Sequence, residues 1–150
     1  MQNHDSIAKK NQTFTYYKTP AGILEATFEG ETIIKAVFVE MAPANTQLQS
    51  IASSPAIAMH GTEFQVKVWQ TACQIPAGST TSYKELAISI GHPTSWRAVA
   101  NALGDNKIAY FIPCHRVVGS NGNVSGYKWG SERKKMLLET EGALNKMNHS

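Results

Sequence analysis

The chain has 150 residues, 42% of them hydrophobic and 17% charged, with a formal net charge of +3, which suits one ordinary domain, or one domain with a small appended lobe, and supplies a packed core. No run nears the roughly 18 consecutive apolar residues of a membrane span, and the opening MQNHDSIAKKNQ has no apolar signal-peptide centre, so no membrane association and a cytoplasmic location are expected. Two cysteines, Cys73 and Cys114, exclude a dense disulfide framework and, lacking paired spacing and histidine partners, argue against a structural zinc site.

Residues 13–40 read as β structure. Thr13 to Thr19 and Thr32 to Val39 are rich in β-branched and aromatic residues. Turn signals at Pro20-Ala21-Gly22 and Glu29-Gly30-Glu31 bracket a middle run, Ile23 to Phe28, giving a small antiparallel meander. Residues 41–58 have the small, polar and proline content of a connector, with room for one short helix. The lobe boundary is placed there, dividing the chain into 1–58 and 59–150.

From Thr62 the period changes. Phe64, Val68, Trp69, Ala72 and Cys73 recur at helical spacing behind Thr62 as a cap, and Pro76-Ala77-Gly78 ends that helix. Ser82 caps a second helix from Tyr83 to Ile90, stopped by Gly91, and Pro93 suits the first turn of a third helix running to about Leu103. Two short helices around a tight glycine-containing turn resemble a helix-turn-helix, but on their own they more often make a helical hairpin in a core. An apolar run, Ile108 to Ile112, reads as extended and delivers Cys114 at a strand end after Pro113. A Gly/Ser/Asn loop over 119–126 precedes a last helix, Ser131 to Glu141, and a frayed polar tail.

Charge is uneven. Residues 1–59 hold four lysines and five acids, whereas 60–150 hold ten Lys or Arg and six acids. The basic excess permits a polyanionic partner in the second part, though so small an excess is more often just a solvated surface.

The stretch Ile112-Pro113-Cys114-His115-Arg116-Val117-Val118 puts a thiol, an imidazole and a guanidinium side by side. A thiol attacks as thiolate, and a neighbouring imidazole or cation lowers its usual pKa of about 8.5, so the composition suits an activated nucleophile. The other reading is a small buried hydrophobe beside a surface histidine. Because successive side chains of an extended segment point to opposite sides, the nucleophilic reading needs a turn or a bridging water. Cys73, on the helical face that begins at Val66, reads as buried core.

Residues 62–142 resemble the C-terminal domain of the O6-alkylguanine-DNA alkyltransferases, also called methylated-DNA-protein-cysteine methyltransferases. The resemblance is carried by Gly61-Thr62-Glu63-Phe64-Gln65 with Val68-Trp69, Ile75-Pro76 with Gly78, Ser82-Tyr83, Arg97-Ala98-Val99 and Asn106. It continues through Pro113-Cys114-His115-Arg116-Val117, Ser125-Gly126-Tyr127-Lys128-Trp129-Gly130 and Glu139-Thr140-Glu141-Gly142. It implies an α+β fold: a small antiparallel β lobe followed by a mostly helical DNA-binding domain with a helix-turn-helix. The implied activity is irreversible, single-turnover transfer of an alkyl group from O6-alkylguanine, and from O4-alkylthymine, in double-stranded DNA to Cys114. The protein would act as a monomer with no cofactor and no metal.

The resemblance also implies roles. Cys114 is the alkyl acceptor, His115 the base acting through a water, and Glu141 the residue that orients the imidazole. Asn106 braces the active-site turn, although an asparagine there also fits a loop cap. Tyr83 donates a proton to the leaving guanine, although without the family it reads as core packing. Arg97 enters the base stack in place of the flipped nucleotide, since the alkylated oxygen is out of reach inside a duplex. Ala98, Ala100 and Asn101 face the minor groove, and Thr94 and Ser95 contact phosphate with help from Arg116 and Lys107. Trp96 departs from the small residue expected beside the arginine; packing inward, contact with a sugar and an altered approach all remain open.

Tyr127 and Trp129 fall where the family lines its guanine pocket, with backbone groups near Val117 and Ser125. Tyr-Lys-Trp-Gly is similar to the adaptive-response bacterial branch, and the bulk of Trp129 implies a tight pocket favouring methyl over benzyl lesions. Residues 1–60 resemble the family's N-terminal lobe only loosely and are short for it. His4 and His60 lack cysteine partners there, so zinc known in some relatives is not expected. Alkyltransferase-like damage sensors lack the cysteine that this chain has at 114. A transcriptional regulator would need a further sensor or activation domain, and a cysteine hydrolase an oxyanion arrangement that Pro-Cys-His-Arg does not offer.

Overall fold

The structure, a computed structural model, describes residues 11–144; His4 and the tail from 145 onward lie outside the described residues. The described residues divide into two compact units, one comprising 11–58 with 107–111 and the other 59–106 with 112–144.

The first unit is a four-stranded sheet in the order β1-β2-β3-β4. Strands β1 (Gln12–Thr19), β2 (Gly22–Glu29) and β3 (Thr32–Val39) form the expected antiparallel meander. Leu24 and Ala26 alternate into its core from β2, as do Ile33, Ala36 and Phe38 from β3. The change of parity between Ile33 and Ala36 has a cause. The pairing passes from Thr27↔Lys35 to Phe28↔Ile33, so Ile34 is the extra residue of a bulge.

The connector contains no helix among the described residues. Instead β4 (Ala56–Ile57) adds a short parallel strand beside β3. Lys107–Phe111 also belongs to this unit, because the Ala36 amide donates to Lys107 and the Ala109 amide returns a bond to Ala36, at 2.9 and 2.8 Å. The run is therefore a single bridge at Ile108, not a full strand leading to Cys114. At Tyr110 it turns through a positive φ of 72°, which is costly for an aromatic residue.

The second unit is mostly helical. Helix α1 (Glu63–Cys73) starts in a capping box, with the Thr62 hydroxyl accepting from the Gln65 amide and the Gln65 side chain accepting from the Thr62 amide. Gly61 is required there, since a Cβ would come within 2.7 Å of Gln65 Oε1 and of the Trp69 ring. Trp69 is buried and donates its indole N–H to the Ala102 carbonyl. Cys73, expected in the core, is exposed: as the last residue of α1 it lies beyond the buried stripe of Val68, Trp69 and Ala72.

Strand β5 (Thr81–Ser82) leads directly into α2 (Tyr83–Ser89), which carries a second capping box between Ser82 and Glu85. Helix α3 (Trp96–Gly104) begins three residues later than Pro93 suggested. The Ser95 amide bonds back to the His92 carbonyl, so Pro93 sits in the turn instead of the helix. Val99, Ala102 and Leu103 face the core from α3. A 3-10 turn (Cys114–Arg116) runs into β6 (Val117–Val118), which pairs in parallel with β5, and α4 (Ser131–Glu141) closes the unit. No helix among the described residues is long and apolar enough to cross a membrane.

Candidate active site and nucleic-acid face

Cys114, His115 and Arg116 lie on a 3-10 turn, not on a strand. By curling at Pro113 the turn points successive side chains at different partners, where a strand would send Cys114 and His115 to opposite faces. Cys114 is 6% exposed and His115 fully buried. The pairing of Thr81 with Val117 and Ser82 with Val118 fastens this turn to the start of α2, which brings Tyr83 to the same cavity as Cys114.

Asn106 is completely buried and directs its side-chain amide to Cys114 Sγ at 3.2 Å and to the Ile112 carbonyl at 3.4 Å. Lys128 donates to the Asn106 carbonyl at 3.0 Å, so backbone and side chain are both fixed. Burial pushes the Cys114 thiol up to about 12, against the opposing hydrogen bond from Asn106. The expected low-pKa thiolate is thus absent from the resting site: desolvation outweighs the donor and the nearby cations. A nucleophile of this kind needs a base at the moment of attack.

His115 is the next residue along the turn. Its Nε2 lies 2.9 Å from Glu141 Oε2, and burial holds its pKa below the ordinary histidine value, so the ring is neutral near pH 7. With Nε2–H donated to the carboxylate, the basic lone pair sits on the buried Nδ1. Glu141 is itself pulled down to about 2: burial alone would raise it, but hydrogen bonds from His115 and Arg116 prevail.

Arg116, expected on phosphate, is committed inward instead. Its Nε and Nη2 form a fork on Glu141 at 3.0 and 2.9 Å, and Nη1 reaches the Ile75 carbonyl at 2.7 Å. It therefore anchors the carboxylate that holds His115.

Cys114 opens on a cavity of about 290 Å³ whose walls include Tyr83, Trp96, Ala100, Tyr127 and Trp129, at the small end of the roughly 300–1,000 Å³ typical of ligand clefts. Tyr127 and Trp129 stand edge to face at 5.5 Å. The Tyr127 hydroxyl is buried with no hydrogen-bond partner among the described residues, so a polar atom of a ligand would satisfy it. Gly126 has φ 84°, a left-handed backbone that favours glycine, and its Cα side faces the Tyr83 hydroxyl, which a Cβ would meet at an ordinary contact distance of 3.7 Å. Ser125 lines the cavity, but Val117 does not: its side chain is fully buried and its backbone pairs with Thr81.

One residue of the site was not anticipated. Lys134 on α4 is 1% exposed, with Nζ 5.9 Å from the Tyr83 ring centre and 3.5 Å from the Ser125 carbonyl. Burial lowers its pKa to about 8, and its positive charge opposes the rise at Cys114. The signal was present in the spacing. Lys134 precedes Leu137 and Leu138 by three and four positions, on the face of α4 that both residues bury.

The outer face of α3 contrasts with this pocket. Thr94, Arg97, Ala98 and Asn101 are exposed, Ser95 and Ala100 half-buried, and Trp96 is exposed at the rim of the cavity. The Arg97 guanidinium carbon lies 5.2 Å from the Trp96 ring centre. Small, uncharged side chains beside one long cation allow a close approach by a polyanion.

Comparisons with known proteins accord with this geometry. Residues 63–143 match the family described as "6-O-methylguanine DNA methyltransferase, DNA binding domain". The chain is 48% identical over 103 residues to the regulatory protein ada of Salmonella typhimurium, covering 69% of this chain but 29% of that protein. It is 39% identical to a methylated-DNA-protein-cysteine methyltransferase of Methanosarcina acetivorans, covering 85% of this chain and 70% of the relative. It spans less than half the length of several other curated relatives. Among solved structures, Mycobacterium tuberculosis OGT in complex with DNA superimposes with a TM-score of 0.74 at 31% identity, covering 87% of this chain and 92% of that one.

Proposed function

The chain belongs to the 6-O-methylguanine DNA methyltransferase family, and on that premise we propose that it repairs DNA by moving a methyl group from O6-methylguanine to its own Cys114. The observation that carries this reading is the environment of the sulfur. Cys114 sits in the wall of a base-sized cavity, bonded by Asn106, next in sequence to a neutral histidine that a carboxylate orients.

In the proposed reaction His115 Nδ1 takes the thiol proton through one water, and the developing thiolate attacks the methyl carbon as the bond from that carbon to guanine O6 breaks. The electron pair of that bond stays on O6, the Tyr83 hydroxyl supplies the proton that leaves a neutral guanine, and the proton taken by His115 then returns through solvent to the Tyr83 phenolate. Charge need never be fully exposed, which suits a thiol that burial holds up at about 12. Lys134 and the Asn106 amide stabilise the developing anion, the first as a buried cation and the second as a hydrogen-bond donor. The product is a thioether, so each molecule turns over once, and no cofactor enters the balance.

A lesion base reaches this cavity only after leaving the duplex. Arg97 is the side chain on α3 with the reach and charge to fill the gap, while the small side chains of Ala98 and Ala100, with Thr94, Ser95 and Asn101, line the approach. The test is to incubate the protein with duplex DNA holding one O6-methylguanine and measure the mass of the Cys114 peptide. One added methyl per chain, saturating at that ratio, is expected; tight binding of the lesion without transfer would place the protein among damage sensors instead.

A further inference from the structure

Trp96 is the first residue of α3 and one of few large apolar side chains left exposed, at 37%. No core packing explains that position. Two cations accompany the indole: Lys84 Nζ lies 6.0 Å from the ring centre and the Arg97 guanidinium carbon 5.2 Å. The ring also belongs to two cavities at once. Besides the Cys114 cavity, it walls a second groove of about 550 Å³ that shares Tyr83 and Ser125 with the first and runs on to Lys84, Asn121 and Asn123. The far side of this groove is shaped in advance. The Asn121 and Asn123 side-chain oxygens accept from the backbone amides of Asn123 and Ser125, which sets the loop without outside help.

An aromatic ring in a groove, with cations beside it, matches one class of ligand best. A nucleobase stacks on the ring and its phosphate faces the cation, and every base has the flat face this requires. The shared wall matters as much. A groove that adjoins the Cys114 cavity through Tyr83, Trp96 and Ser125 is where the chain of an oligonucleotide continues once one of its bases has entered.

We propose that the Trp96 groove is a second nucleotide subsite, in which the base next to the lesion on the same strand stacks on the indole while the intervening phosphate faces Lys84. This rests on the function proposed above and narrows its substrate: the site reads a lesion with its neighbour, and an isolated base fills only half of it.

The test compares methyl transfer to Cys114 from two substrates, free O6-methylguanine base and a single-stranded trinucleotide with O6-methylguanine at its centre. For Trp96→Ala the ratio of trinucleotide to free-base rate should fall about tenfold, the scale of one lost base stack, and Trp96→Phe should keep most of it. Lys84→Gln should flatten the salt dependence of the trinucleotide rate alone. An unchanged ratio in Trp96→Ala overturns the subsite, because it means that Trp96 shapes only the lesion cavity. If the wild-type protein methylates Cys114 from neither substrate, nor from duplex DNA, the repair function itself fails, which is a different result.

Discussion

The 3-10 turn at Cys114–Arg116 and the outer face of α3 lie in the same unit and are built in opposite ways. In the turn every functional side chain is held by another element: Cys114 by Asn106, His115 and Arg116 by Glu141, and Arg116 also by Ile75. On α3 the corresponding side chains are exposed, and Arg97 is seen against the indole beside it. On the proposed function, the difference follows from what each would do. Group transfer needs atoms placed before substrate arrives, since small misplacements slow it greatly, whereas a nucleic-acid face is completed by its partner. Changes in the turn should therefore damage transfer from every substrate alike, and changes on α3 should matter in proportion to how much DNA the substrate carries.

The largest break is Cys114→Ser, which should abolish transfer while lesion-containing duplex still binds, read by the absence of methyl in the peptide mass and by retained mobility shift. Next is Glu141→Gln. It keeps the size of the side chain but loses the charge that supports the imidazole, and the plateau rate should fall on the order of 10²-fold with free base and duplex equally. The pH profile sharpens this. His115 must be neutral to act, so the wild-type rate should drop only as pH falls through a value below the ordinary histidine range. Glu141 raises the His115 pKa, so its removal should move that acid limb lower still. Stability has its own window. The carboxyl of Glu141 is held down at about 2, so its contribution is complete above the ordinary carboxylate range and is lost as pH falls toward 2. Acid unfolding followed by circular dichroism should thus shift in Glu141→Gln.

On the other region, Arg97→Ala should slow repair in duplex by about tenfold or more while affecting free alkylguanine much less, since only the duplex requires a base to be extruded. Equal losses with both substrates would remove the arginine from that role and erase the contrast between the regions. Between the two lies Trp129, in the cavity wall but outside the bonded turn. Trp129→Gly should raise the rate with O6-benzylguanine relative to O6-methylguanine by about tenfold, in line with what small changes of pocket size are worth. Comparable wild-type rates with both substrates would show that the ring does not restrict the cavity.

Much of this was legible from residues alone, and the exceptions share a cause. The meander, both capping residues and the last helix follow from alternation, turn residues and helical spacing, which are local signals. The bulge at Ile34, the late start of α3 and the membership of Lys107–Phe111 in the sheet unit do not, because each depends on hydrogen bonds to distant or turn backbone that leave no period in the sequence. Site residues divide the same way. Cys114, His115 and Glu141 were placed by resemblance, and the structure brings the last two into contact. Arg116 and Lys134 were misplaced or missed, since a cation reads as a surface residue until its partners are seen: Glu141 for one, the Tyr83 ring and the Ser125 carbonyl for the other.

The smallest expected effect tests whether the two regions meet. Tyr83 opens α2, walls both the Cys114 cavity and the Trp96 groove, and carries the proposed acid. Burial raises its phenol pKa, and a nearby Cys114 anion would raise it further. The hydroxyl thus stays protonated through the whole neutral range and holds its proton more tightly as the thiolate forms, which limits how much it can assist. Tyr83→Phe preserves the ring under the Lys134 ammonium and removes only the oxygen. Transfer should slow by less than about tenfold, short of the roughly 10²-fold at which general-acid catalysis begins, by the same factor for free base and duplex, with lesion binding unchanged. A loss confined to duplex would instead make Tyr83 part of the α3 face, acting on the strand and not on the leaving guanine.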